Sequence, residues 1–273
     1  MKRITLILLI CSCSSFFAFA QVKQESPIQI GTSVIYHSEI LDEDRTVLIH
    51  NPNEYVDSTE SQNYPVIYVL DGHDHFRYLV GLLHRMGNDF LPKMIVVGVT
   101  QNDRNKDLRP EGYSNFHSYL TSEIIPFIDS SFQTNGNNML IGHSLGGLFA
   151  LTTFIEKNSS FDKYIAIDPY IVEQELPERY RLAHEKGIIN NGALYLSIAR
   201  TFPDSIDLSQ LKNDTSKTTS MARETFRFVD EIQKDSLNFE YMYFDNEYHM
   251  SVPNISMYQG LRFLYQGYIP EED

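Results

Sequence analysis

The sequence predicts an α/β fold in which a mostly parallel, doubly wound sheet carries an antiparallel pair of strands at its N-terminal edge. The first observation is a series of short, largely apolar runs at 64–70, 93–99, 139–141, 164–167, 193–199 and 239–244. Runs that do not alternate with polar residues fit strands buried on both faces, as in parallel sheets. The second is that stretches with helical apolar spacing separate these runs, the βαβ alternation that brings successive strands parallel. The third is length: 273 residues, about 250 after a leader, suit one domain with a sizeable core.

Residues 28–40 and 45–51 are rich in β-formers and are separated by Asp42-Glu43-Asp44, an antiparallel pair at a sheet edge. The run 64–70 ends at Asp71-Gly72, and apolar residues at helical spacing follow over 76–86. After the strand at 93–99, residues 117–132 form an amphipathic helix with Pro126 inside it. The run at 139–141 leads at once into an apolar, Ala/Leu-rich helix. Beyond it come a strand at 164–167, a less regular helix over 172–186 and a strand at 193–199. Residues 204–219 are polar and loop-like, 221–233 read as a helix, 239–244 as the last strand and 255–265 as a closing helix.

The chain opens with Met1-Lys2-Arg3, an apolar stretch, and Ala18-Phe19-Ala20 before Gln21. This is the pattern of a secretory signal peptide over residues 1–20, which predicts a secreted or periplasmic domain at 21–273. Cys11 to Ser15 interrupt the apolar stretch too much for a membrane anchor, so no stable span is expected. Both cysteines, Cys11 and Cys13, lie in this leader. The remainder therefore has no disulfide framework, thiolate nucleophile or cysteine metal site. Lipidation at Cys13 is the rival reading, for which Ile10-Cys11-Ser12 is a poor match. A formal charge of −14 argues against nucleic acid or an anionic membrane as partner.

Chemistry enters at Gly142-His143-Ser144-Leu145-Gly146, a G-x-S-x-G pattern set between a strand and a helix. In that context the serine sits on a sharp turn at the top of the sheet, at a helix N-terminus whose partial positive charge favours a developing anion. The glycines at 142 and 146 are expected wherever a side chain would clash with the neighbouring strand and helix. A serine hydroxyl needs a base within hydrogen-bond reach. In α/β-hydrolases the order along the chain is serine, acid, histidine, with the histidine after the last strand. Of nine histidines, His249 alone occupies that place, while His143 adjoins the serine and points the wrong way along the turn.

The acid is expected in the loop after the strand ending near Ala199, with Asp204 first, Asp207 as an alternative and Asp214 farther on. Asp168, at the end of the preceding strand, is a further alternative, since an acid there can also reach the histidine. A Ser–His dyad is the remaining arrangement. Two aimed N–H donors must meet the oxyanion: the backbone N–H of Leu145, and that of His73 in the turn after residues 66–70. His73 and His75 form an H-x-H pair with no third ligand placed beside it, so neither a metal nor any other cofactor is expected.

Val69-Leu70-Asp71-Gly72 with Phe76, Gly142-His143-Ser144-Leu145-Gly146-Gly147, and Glu247-Tyr248-His249-Met250-Ser251-Val252-Pro253 leading to Gly260-Leu261-Arg262-Phe263 resemble the putative-esterase family. That family contains enterochelin (ferric siderophore) esterases, esterase D, feruloyl and acetyl xylan esterases, and the mycolyltransferases. The resemblance implies an α/β-hydrolase fold and serine esterase chemistry, with Ser144 as nucleophile, His249 as base and an oxyanion turn at Asp71-Gly72-His73. Asn102 to Pro110 resembles the R-x-x-D-x-x-P-like segment of siderophore-esterase-type members, which places Arg104 at the pocket; a structural Arg104–Asp107 turn is the alternative. The departure lies after Ala199, where members with a full triad carry an acid soon after a glycine.

The expected substrate is a small-molecule or glycan-linked ester: a siderophore ester or a polysaccharide acyl ester. Acyl transfer, and a catalytically silent binding protein on the same fold, are the competing readings.

Overall fold

Apolar runs buried on both faces build the centre of the molecule, and Asp71, Ser144 and Asp168 each directly follow the last residue of a strand. The computed structural model describes residues 24, 26–52, 62–87, 89–156, 159–172 and 175–270. The signal peptide expected over residues 1–20, with Cys11 and Cys13, lies outside the described residues. The strands are β1 (Thr32–Ser38), β2 (Glu43–His50), β3 (Tyr64–Leu70), β4 (Ile95–Val99), β5 (Thr134–His143), β6 (Lys163–Ile167), β7 (Ala193–Ala199) and β8 (Phe239–Phe244). Among the described residues they form an eight-stranded sheet in the order β1-β2-β4-β3-β5-β6-β7-β8. β1 pairs antiparallel with β2, and β2 antiparallel with β4. Every pairing from β4 through β3 to β8 is parallel. This is the α/β-hydrolase arrangement that the sequence predicts, with its antiparallel N-terminal edge.

Alternation within β3 shows why the run is apolar throughout. Val66, Tyr68 and Leu70 join one core cluster and Ile67 and Val69 the other, all without exposure. The second cluster lies under α1 (Gly72–Met86) and α9 (Val252–Leu264). The first is covered by α2 (Arg104–Leu108), α3 (Tyr113–Tyr119), α4 (Ile125–Ser131), α5 (Leu145–Ile155), α6 (Glu175–Glu185) and α8 (Ser220–Ile232). A helical layer on each face is the way a parallel sheet removes both of its apolar surfaces from water.

The boundaries differ from expectation where local chemistry decides them. β1 begins at Thr32, and Ile28 is exposed. Asp42, with φ 52°, makes the turn, so that Glu43 and Asp44 already belong to β2. The helix expected over 117–132 starts earlier, at Tyr113, and passes through a π turn at Leu120–Ile124 before α4, where Pro126 sits at the helix start. Proline is tolerated there because it follows directly on the π turn, where the regular ladder of helical hydrogen bonds is already interrupted. The loop 204–219 contains the short α7 (Leu208–Leu211). Among the described residues no helix is long and apolar enough to cross a membrane.

Arg45 of β2 is fully buried and donates from Nη1 and Nη2 to the two carboxylate oxygens of Asp107, at 2.6 and 2.9 Å. Its guanidinium also lies over the rings of Phe116 and Tyr119. A buried ion pair holds only when both partners are present and hydrogen-bonded. This one fixes α2 to the sheet edge beside the site.

Candidate active site

β5 and β3 end side by side, and the chemistry starts at the two turns they lead into. Ser144 has φ 59° and ψ −116°, a conformation that non-glycine residues adopt only where the surroundings impose it. Its N–H donates to the Ile167 carbonyl at 3.0 Å, and its own carbonyl accepts from Leu148 at 3.0 Å and Tyr170 at 2.9 Å. The elbow is thus pinned on both sides. A Cβ at position 142 would collide with the Gly146 carbonyl, which makes glycine obligatory there. Position 146 departs from expectation: its nearest neighbour would be Asp71 Oδ2 at 3.4 Å, an ordinary contact. The crowded position is instead Gly147, whose Cβ would lie 3.0 Å from the Ile167 carbonyl oxygen and from Pro169.

The loop after β8 brings His249 back over the elbow. Its Nε2 lies 2.9 Å from Ser144 Oγ and its Nδ1 2.6 Å from Asp168 Oδ2. A carboxylate only accepts, so Nδ1 carries the proton and Nε2 is left to accept from the serine hydroxyl. Asp168 is 1% exposed and, like Ser144, is left-handed, with φ 38°. Its second oxygen accepts from the Ala199 N–H at 2.9 Å, and its own N–H donates to Ser197. Three backbone-anchored groups therefore line up as hydroxyl, imidazole and carboxylate.

The structure brings Asp168, and not Asp204, to His249. Asp204 is 86% exposed on its side chain and accepts from Arg200 Nε at 3.0 Å. Arg200 also binds Asp245 at 2.7 Å, so this pair braces the loops after β7 and β8 instead of supplying an acid. Asp207 caps α7 through Ser209 N–H at 2.8 Å. Asp214 accepts from the Ser216 N–H and from Thr219 Oγ1. Each loop aspartate has a local backbone or side-chain partner.

Leu145 and His73 stand in the first turns of α5 and α1, where N–H groups have no intrahelical acceptor. The His73 side chain is exposed. Asp71, before it, is left-handed with φ 52°. Arg104 does not pair with Asp107. It donates from Nε and Nη2 to the Asp71 carboxylate at 2.6 and 3.0 Å, and from Nη2 to the His143 carbonyl at 3.0 Å.

His143, next to the serine, does turn away from Oγ, yet it is not idle. Its Nε2–H donates to the His249 carbonyl at 2.8 Å, and the two rings lie 4.5 Å apart. Burial first, and then the neighbouring His249 and His75 imidazoles, push its pKa down to about 3. It therefore remains a neutral donor across the physiological range. Burial likewise lowers His75, whose ring packs edge-on against His143. A cleft of about 480 Å³ opens at this point, with Asp71, Asp74, Arg104, Ser144, His249 and Met250 in its wall. On the far side of the elbow a hollow of about 600 Å³ begins at Leu145 and runs past Tyr113 and Tyr170 to Arg109 and Arg179. Among the described residues no group of three or more His, Cys, Asp or Glu side chains is placed to hold a metal ion.

A serine on a strained strand–helix turn, faced by a histidine after the last strand of a parallel sheet, places this chain among the α/β-hydrolase folds. The chain belongs to the putative-esterase family, whose profile matches residues 38–191. An uncharacterized Bacillus subtilis protein, YjcH, is 31% identical over 149 residues, which span 50% of this chain and 60% of that protein. The ferri-bacillibactin esterase BesA of Bacillus subtilis is 25% identical over 233 residues, 73% of this chain and 78% of the relative. Among solved structures, an IroE-like serine hydrolase from Shewanella oneidensis superposes with a TM-score of 0.74 at 28% identity, covering 86% of this chain and 80% of that one.

Proposed function

We propose that this chain is an exported serine esterase that cleaves a siderophore ester through an acyl-enzyme on Ser144. The observation that carries the reading is the hydrogen-bonded series Ser144 Oγ, His249, Asp168, with separations of 2.9 and 2.6 Å. His249 Nε2 takes the hydroxyl proton as Oγ attacks the ester carbonyl, and Asp168 holds the opposite N–H and stabilises the imidazolium. The oxyanion forms against the N–H groups of Leu145 and His73, each donor contributing about 3 kcal/mol of barrier lowering. Collapse expels the alcohol, which takes the proton from His249. Water then enters by the same route and releases the acid.

Kinship with a ferri-bacillibactin esterase supports the siderophore ester over a polysaccharide acyl ester. The hollow beside Leu145 does not separate the two: Tyr113 and Tyr170 offer stacking to either acyl group, and Arg109 and Arg179 share its wall with Glu111, Glu156 and Glu175. The leader at residues 1–20 supports export.

The test is hydrolysis of p-nitrophenyl acetate by Ser144→Ala, expected to fall at least ~10³-fold with the fold intact by circular dichroism; retained activity removes the serine assignment. A panel of ferric catecholate, feruloylated and acetylated esters then decides the substrate. Preference for either glycan ester overturns the siderophore reading alone.

A further inference from the structure

Arg104 is the first residue of the five-residue helix α2, which is anchored from two sides. Asp103 caps that helix through the N–H groups of Asn105 and Lys106, at 3.0 and 3.1 Å. Asp107, on the same helix, is locked to the buried Arg45. From this base Arg104 reaches two separate backbone segments. It grips both carboxylate oxygens of Asp71 in the turn after β3, and it donates to the carbonyl of His143, the last residue of β5 before the nucleophile.

The Asp71 turn is tightly constrained. Its N–H donates to Gln101 Oε1 at 3.1 Å, and its carbonyl accepts from Asp74 and His75 at 2.9 and 3.2 Å as α1 begins. At the next residue a Cβ would lie 2.6 Å from the Gly98 backbone, so this turn is wedged against β4. Asp71 is 8% exposed, and its carboxylate faces the same cleft as Ser144. Unopposed, that negative charge would lie beside the point where an oxyanion develops, in surroundings that screen it poorly.

We propose that Arg104 is a positioning residue: by clamping Asp71 to the carbonyl before Ser144, it holds the starts of α1 and α5 in register for the oxyanion and cancels the carboxylate facing the nucleophile. This role rests on the serine-esterase reading and replaces contact of Arg104 with substrate. Register matters because a displacement of about 1 Å in a catalytic array costs about 10²-fold in rate. Asp168 and His143 touch His249, and the titratable and charged groups that line the same cleft are His75, Asp71, Asp74 and Arg104. Glu247, on its own loop, accepts from Ser251 Oγ. Removing one member of the Arg104–Asp71 pair therefore unbalances the charge felt by the imidazole in a known direction.

The experiment is a double-mutant cycle on Arg104→Ala, Asp71→Asn and the double variant, read as kcat, KM and the pH profile of kcat/KM. The substrates are p-nitrophenyl acetate, which carries no charge for an arginine to bind, and the anionic mono-p-nitrophenyl succinate; Ser144→Ala is assayed alongside. Arg104→Ala is expected to lower kcat by about 10²-fold with KM little changed, and to move the acid limb to higher pH, because an unpaired carboxylate favours imidazolium. Asp71→Asn leaves an unpaired guanidinium and moves the limb to lower pH. The double variant returns the limb towards wild type and recovers at least about tenfold of the lost rate. A kcat within about threefold of wild type and an unmoved limb in Arg104→Ala overturn the proposal. A KM effect confined to anionic esters also overturns it, in favour of substrate contact. If Arg104→Ala does not fold, Asp71→Asn decides: an unmoved limb refutes the proposal. An active Ser144→Ala instead removes the serine mechanism on which it rests.

Discussion

Replacing Asp168 by Asn makes a demanding test, because the structure fixes which way the new amide must face. Asp168 is 1% exposed and its two oxygens have different partners. Oδ1 accepts from the Ala199 N–H at 2.9 Å, and Oδ2 faces His249 Nδ1 at 2.6 Å. An asparagine keeps the first bond only with its carbonyl oxygen at the Oδ1 position. Its NH2 group then points at Nδ1, donor against donor. The imidazole escapes by moving its proton to Nε2, which becomes a donor towards Ser144 and can no longer take the hydroxyl proton. The equivalent change in a serine-protease triad lowers kcat by roughly 10⁴-fold, about 5.4 kcal/mol of barrier at 1.36 kcal/mol per decade. The assay is steady-state hydrolysis of p-nitrophenyl acetate from pH 6 to 10, with Asp204→Asn as control. Asp168→Asn is expected to lose about four decades and Asp204→Asn less than about twofold. A Asp168→Asn enzyme with more than a tenth of wild-type kcat, or an equal loss in Asp204→Asn, refutes the reasoning.

Three further outcomes follow from the geometry. Gly142→Ala places a methyl on the Gly146 carbonyl and should cost about 3 kcal/mol or more in urea denaturation, whereas Gly146→Ala, with first contacts at 3.4 Å, should change stability by less than about 1 kcal/mol. Arg45→Ala strands the buried Asp107 carboxylate and should cost about 3–5 kcal/mol, much of it regained in an Arg45→Met/Asp107→Leu double variant. His143 is held neutral, with its pKa pushed down to about 3, while the unfolded chain protonates near 6.5. Between these values the unfolded state binds the extra proton, so the stability His143 contributes is full above about pH 6.5 and is lost as pH falls towards 3. Unfolding free energies from urea denaturation between pH 7.5 and 4.5 should fall below about pH 6.5 with a slope approaching about 1.4 kcal/mol per unit from His143, and His143→Gln should flatten it; a flat wild-type profile contradicts this.

What the sequence disclosed and what it withheld divide along the range of the interactions concerned. The elbow around Ser144 is local: strand, five residues and helix are contiguous, so pattern alone marks it. His249 is distant in sequence but sits at a position that chain order defines. The sheet was legible because β3, β4, β7 and the second half of β5 are continuous apolar runs, and such runs suit strands with helices on both faces. The third member of the series was harder. Asp204, Asp207 and Asp214 share a loop at the expected place, and only the fold reveals each engaged by a nearby partner. Asp168 reaches His249 because a left-handed turn and an N–H from β7 aim it, and no spacing rule reveals that aim.

Arg104 and Asp107 show the same limit in another form. Their three-residue spacing suggests a local pair, yet on α2 one faces Asp71 and the other the buried Arg45. That helix is short and polar, with too little apolar periodicity to stand out. The glycines tell a similar story: Gly147 is crowded by the Ile167 carbonyl and Pro169, neighbours that arrive from a strand further along the chain. His143 offered one signal, its position directly before the serine, but its use as a tether for the His249 loop depends on a bond spanning 106 residues.

The central claim is that Ser144 is made nucleophilic by His249, and covalent trapping tests it most directly. Intact-protein mass spectrometry after exposure to a fluorophosphonate should show one adduct, mapped by peptide digestion to Ser144, absent in Ser144→Ala and formed far more slowly in Asp168→Asn. A folded wild-type protein that stays unlabelled, or that carries its adduct on another residue, contradicts the claim.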